Sequence, residues 1–82
     1  MEHFLAERYL PAAGRGTIAG DVERIRRAAA AVAGTRLVQT LYLPGDELCL
    51  HLFAGDSADD VARVGCAAEL EIDRIRPAEV ER

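Results

Sequence analysis

Few residues of this chain can do chemistry, and one stands near its first residue. His3 follows Met1 and Glu2. A chain that begins Xaa-Xaa-His can fold its terminal amine, two backbone amide nitrogens and the imidazole around one ion. Four nitrogens in a plane suit Cu(II) or Ni(II) rather than zinc or magnesium. Glu2 is large, so the initiator methionine is expected to be retained and His3 to stay third. The second candidate is Cys49-x-His51. On a strand the two side chains share a face, roughly 6.5–7 Å apart, within reach of one ion after some adjustment or of two separate ions. The plainer reading of Cys49 is packing, because a buried free cysteine behaves as a small hydrophobe. The same holds for Cys66, beside Ala67 and Ala68.

No catalytic signature stands beside these residues. "GRGTIAG" has glycines but neither the lysine of a phosphate-binding loop nor a preceding dinucleotide unit. Glu47, Cys49 and His51 could be imagined as a thiol nucleophile with its base. However, neighbours at i and i+2 on a flat strand do not bring a base to the sulfur.

The elements must place these groups. The chain has 82 residues, half of them hydrophobic, which predicts one domain spanning 1–82. A domain so small is marginal alone, and pairing with a second copy is one way to bury more surface. The net charge of -4 argues against nucleic acid, since Arg24, Arg26 and Arg27 are diluted by Asp21 and Glu23 and read as a solvated helix face. No apolar run approaches the ~18 residues of a membrane span, and no signal peptide is visible. A cytoplasmic location with reduced thiols is the expectation.

"EHFLAERYLP" reads as a strand ended by Pro11, with Phe4, Ala6 and Arg8 on one face and His3, Leu5, Glu7 and Tyr9 on the other. "AAGRG" reads as a loop. In "TIAGDVERIRRAAAAVAG" the residues Ile18, Val22, Ile25, Ala29 and Val32 form a helical stripe, with Thr17 and Gly34 as caps. "TRLVQTLYL" is a second strand, and "ELCLHLF" a third across the "PGD" turn. Its alternation assigns Leu48, Leu50 and Leu52 to the core and Glu47, Cys49, His51 and Phe53 to the other face. "GDSADDVARVGCAAEL" is a second helix, opened by Ser57 and Asp60 as an acidic capping box and buried through Val61, Val64 and Ala68. "IDRIR" is a last strand stopped by Pro77.

The order β-α-β-β-α-β predicts an α+β, ferredoxin-like sandwich: a four-stranded antiparallel sheet with both helices on one face. Strands one and three are then antiparallel neighbours. That places His3 near His51, and Glu7 near Cys49 or Glu47. If the three leucines of strand three point at the helices, Cys49 and His51 lie on the open face; His3 and Glu7 join them only if Phe4 and Ala6 point inward, which Phe4, the largest apolar residue of strand one, favours.

The segments "FLAERYLP", "LVQTLYLPGDELCLHLF", "AGDSADDV" and "IDRI" resemble a family of short bacterial proteins once called only a domain of unknown function. That family has the ferredoxin-like fold and includes a nickel-binding protein of actinobacteria. The likeness covers nearly the whole chain and rests on Glu7-Arg8, the turn ending in Asp46, and Cys49. The chain departs at "AGDS", where many relatives carry a proline. The resemblance implies a homodimer that binds Ni(II) at or near its surface, without catalysis. The ligand candidates are Met1, Glu2, His3, Glu7, Cys49 and His51. The other function open to this fold is a dimeric α+β barrel, a small-molecule binder or oxygenase-like enzyme with Tyr9, Tyr42 and Phe53 lining a pocket. A bare interaction module is a third.

Overall fold

The structure is a computed structural model and describes residues 2–81. Strand β1 spans Glu2–Tyr9, helix α1 Ile18–Ala29, β2 Arg36–Leu43, β3 Leu48–Gly55, helix α2 Ala58–Ala67 and β4 Arg74–Ala78. The strands form one antiparallel sheet in the order β2-β3-β1-β4. This is the ferredoxin-like arrangement expected from the element order.

The core lies between sheet and helices. Phe4, Ala6, Leu37 and Phe53 from the sheet meet Ile25, Ala29, Val61 and Val64 from the helices. Each helix contributes residues three or four apart, the spacing of one helical face. Ser57 caps α2 as its sequence predicts: its Oγ accepts the Asp60 amide at 3.1 Å, satisfying a first-turn donor that the helix itself cannot. At Gly65, α2 comes close to the chain leading into β4. A Cβ there would stand 2.8 Å from Cγ1 of Ile72.

Local details depart from expectation. "AAGRG" belongs to a 3-10 helix, Ala12–Thr17, leading directly into α1. Thr17 therefore has helical dihedrals and caps nothing with its side chain; its hydroxyl donates to the Gly14 carbonyl at 2.8 Å. The helix ends at Ala29, before Gly34. Gly34 serves the turn into β2 instead, at φ 78, a left-handed conformation that glycine adopts without strain. Pro77 does not stop β4 but lies inside it, opposite Phe4. The strand tolerates it because β4 has a neighbour on one side only. On β2 the pairing register shifts between Leu37 and Gln39.

The largest departure concerns β3. Cys49, His51 and Phe53 point at the helices and are buried, while Leu48, Leu50 and Leu52 lie on the open face, partly exposed. The expected orientation is inverted. β1 does have the expected one, with Phe4 and Ala6 inward. The ladder ties the two strands together: Phe4 pairs with Phe53, Ala6 with His51 and Arg8 with Cys49. Directly paired residues share a face, so once Phe4 points inward, Phe53, His51 and Cys49 must follow.

Candidate functional site

The inversion separates the groups that the sequence brings together. His3 pairs with Ala54 and His51 with Ala6. The histidines lie on opposite faces of the sheet and three ladder positions apart. Cys49 goes with His51, and Glu7 stays with His3 on the open face, opposite Leu50.

Beneath α1, the sheet buries a polar network that the sequence reading missed. His51 is fully buried. Its Nδ1 lies 2.8 Å from Thr40 Oγ1, and its Nε2 accepts from Nε of Arg8 at 3.3 Å. An arginine can only donate, so Nε2 carries the lone pair and the ring proton sits on Nδ1, donated to Thr40. Cys49 Sγ is 3.6 Å from the same Nε2. Arg8 continues to Asp21 at 2.5 Å. Asp21 also accepts from Arg24 at 3.0 Å and from Thr17 at 3.3 Å.

The electrostatics hold both chemically capable groups neutral. Burial, seconded by the Arg8 charge and opposed by Asp21, pushes the His51 imidazole down to about 4. Burial likewise raises the Cys49 thiol, against the pull of Arg8. A neutral thiol beside a neutral imidazole is not an activated nucleophile. The guanidinium aimed at the Nε2 lone pair also repels any cation that would bind there. Cys49 and His51 therefore hold this network together rather than reaching a ligand from the open face.

Two signals for the network were present in the sequence. Asp21 stands four residues before Ile25 and eight before Ala29, on the buried stripe of α1. Arg8 shares the strand face of Phe4 and Ala6. Only the long-range pairing shows that the two charges meet.

On the open face, Glu7 is covered by two arginines of β4. Its Oε1 accepts from Arg74 at 3.3 Å and its Oε2 from Nε of Arg76 at 2.8 Å. Burial pushes the carboxyl up, but hydrogen bonds and charge from Arg76 and Arg74 prevail and hold it below the ordinary value. Both carboxylate oxygens thus already accept from guanidiniums, whose charges match the Glu7 charge and repel a cation. Glu47 is not beside Glu7. It lies in the turn before β3 at φ 53, and its carboxylate accepts from the Tyr9 hydroxyl at 3.3 Å and the Ala12 amide at 3.0 Å.

His3 remains available. It is half-buried at the end of the open face, on a groove of about 550 Å³ whose other polar side chains are Glu2, Glu79 and Glu81. Met1 lies outside the described residues. Glu2 and His3 are already strand residues, Glu2 opposite Gly55 and His3 between Ala54 and Ala78. The planar four-nitrogen geometry, which takes the amides of both residues, thus competes with the first pairings of β1. Among the described residues, no three His, Cys, Asp or Glu side chains are grouped so as to hold a metal ion.

Tyr42 and Phe53 do not line the open face. Tyr42 pairs with Cys49 and donates its hydroxyl to the Leu10 carbonyl at 2.7 Å, and Phe53 belongs to the core. Tyr9 alone of the three is exposed there. Cys66 is an exposed free thiol on α2.

No known family's sequence profile matches the chain, and no curated protein does. Among solved structures, the crystal structure of SCO4226 from Streptomyces coelicolor A3(2) matches 98% of this chain and 99% of that one, with a TM-score of 0.85 at 17% sequence identity. At that identity the likeness is one of fold: the two chains share the ferredoxin-like architecture from end to end.

Proposed function

We propose that this protein is a homodimer that sequesters or buffers Ni(II), without catalysis, at the His3 end of its open sheet face. The observation that supports this is the position of His3, a half-buried imidazole on a groove with Glu2, Glu79 and Glu81. Imidazole and carboxylate donors suit divalent ions of this kind. With no three-residue set among the described side chains, the ligand set is completed by the terminal amine of Met1 or by a second copy of the chain. Affinity falls as pH drops, because the nitrogen ligands must be deprotonated.

Calorimetry with Ni(II) on the untagged chain is the test. Binding is expected to be lost in His3→Ala, and equal binding by that variant and the parent sinks the reading. Acetylating the terminal amine then separates the two completions: loss of binding assigns the fourth nitrogen to Met1, and retention assigns the remaining ligands to side chains.

The leucines on the open face favour a second reading, the α+β barrel in which two such faces enclose an apolar small molecule. Uptake of an apolar fluorescent probe by the native dimer, indifferent to nickel, supports that reading over the metal.

A further inference from the structure

The chain has 10 basic residues, and every one is an arginine. Several are used within the fold. Arg8, Arg24, Arg63, Arg74 and Arg76 are ion-paired, and Arg15 lies over the Tyr42 ring at 5.7 Å. Among the described residues, Arg26, Arg27 and Arg36 have no carboxylate partner. Arg26, on the last turn of α1, and Arg36, at the start of β2, line one cleft of about 370 Å³. The rest of its wall is Ala29, Ala30, Thr35 and Leu37. Thr35 is 7% exposed. Among the described residues, its hydroxyl is the one buried polar side-chain atom without a hydrogen-bond partner.

We propose that this cleft binds a phosphate group between Arg26 and Arg36, either as the free ion or as the monoester of a small organic molecule. A guanidinium that nothing neutralises presents a planar fork of donors matched to an oxyanion. A carboxylate is satisfied by one such fork. Two forks from different elements, with a hydroxyl in the same wall, suit a tetrahedral group that has several free oxygens. A buried hydroxyl without a partner calls for an explanation of its own. The Thr35 side chain lies against Gly55, and a turn about its Cα–Cβ bond offers the hydroxyl to a ligand.

Arginine in the last turn of a helix has an ordinary use, as a complement to the negative end of the dipole. That accounts for Arg26 but not for Arg36, which lies outside the helix. The helix end is also no bar to an anion. The carbonyls of Arg26, Ala28 and Ala29 already accept the amides of Ala30, Ala31 and Val32. Asp56 comes close to Gly34, but it pairs with neither arginine and does not line the cleft. The cleft shares no residue with the groove at His3, so this site stands or falls apart from the nickel reading.

Proton–nitrogen spectra of the native chain, titrated with inorganic phosphate at constant ionic strength, are the first measurement. Saturable shifts of the Ala30, Thr35 and Arg36 amides are expected with a Kd of about 5 mM or tighter, and no saturation by ~50 mM overturns the proposal. An equal response around Arg63, on the other helix, is unspecific charge attraction and also overturns it. Arg26→Gln and Arg36→Gln, both at exposed positions, are each expected to weaken binding at least ~10-fold, as the loss of a charged hydrogen bond does. Thr35→Val keeps the shape of the side chain and removes the orphaned hydroxyl. Without phosphate its Tm should rise, because an unsatisfied buried polar group is gone, while its phosphate affinity should fall. Any of the three variants binding as the parent does overturns the proposal. Glycerol phosphate set against inorganic phosphate separates the two sources: tighter binding of the ester assigns the site to an organic ligand, and equal binding to the free ion. Succinate binding as tightly as either overturns the phosphate class.

Discussion

His51 shows how a residue type suited to chemistry is used for architecture. Its ring is buried, neutral and hydrogen-bonded at both nitrogens. The unfolded chain protonates His51 near its ordinary value of 6.5, but the folded chain only near about 4. Between those values the unfolded state binds the extra proton, so stability falls as pH drops through that window and flattens below it. The loss attributable to His51 is on the order of 3 kcal/mol. Glu7 acts in a lower window: its folded value is depressed, so its contribution is present above the ordinary carboxylate range and fades as acid protonates it. Urea titrations from pH 7 down to about pH 3 should show the decline of His51 before that of Glu7. Nitrogen-resolved spectra at pH 5.5 should show the proton of a neutral His51 ring on Nδ1; an imidazolium there contradicts the network.

Asp21 is the second test at this scale. Asp21→Ala leaves the Arg8 guanidinium buried beside His51 without its counter-ion, and is expected to cost about 3–5 kcal/mol in urea unfolding. Replacing both members, Arg8→Met with Asp21→Leu, should recover most of that cost, since the pair's desolvation is then removed with its attraction. A double variant no more stable than the single one would show that the network contributes beyond the pair.

At the scale of elements, α2 offers two separable substitutions. Ser57→Ala removes the cap on the Asp60 amide and should cost about 1 kcal/mol. Gly65→Ala drives a methyl against Ile72, and should cost about 1–3 kcal/mol as an overpacked contact does. Thermal melts of both variants check the order. Most of the elements were legible in the sequence because their signals are local: the alternation in β1, the stripe of α1 and the Ser57 cap. The orientation of β3 was not. "LCLHLF" has apolar residues on both faces, so its own pattern does not distinguish core from open side, and a one-residue difference inverts everything. The deciding residue was Phe4 on another strand, through its pairing with Phe53. The candidate site failed with the orientation. His3 was correctly placed on the open face, but His51 and Cys49 went to the side where Arg8 and Asp21 await them. Those two charges were readable from Phe4, Ala6 and Ile25 only after the faces were known.

For the whole molecule, the homodimer proposed above would make stability depend on concentration. Binding that involves only the folded state raises the apparent melting temperature by mass action. A hundredfold dilution of the native chain is therefore expected to lower its Tm, and a Tm independent of concentration counts against the dimer. The sheet's margins limit how far association can go. One outer strand contains Pro77, which has no amide hydrogen to offer a further strand, and the other breaks its register between Leu37 and Gln39. Proline and bulges at the edge are the means by which natural sheets refuse lateral growth. Neither outer strand therefore offers an unbroken ladder to a further strand. A sheet whose open face is rich in leucine is thereby guarded against edge-to-edge growth into a fibre.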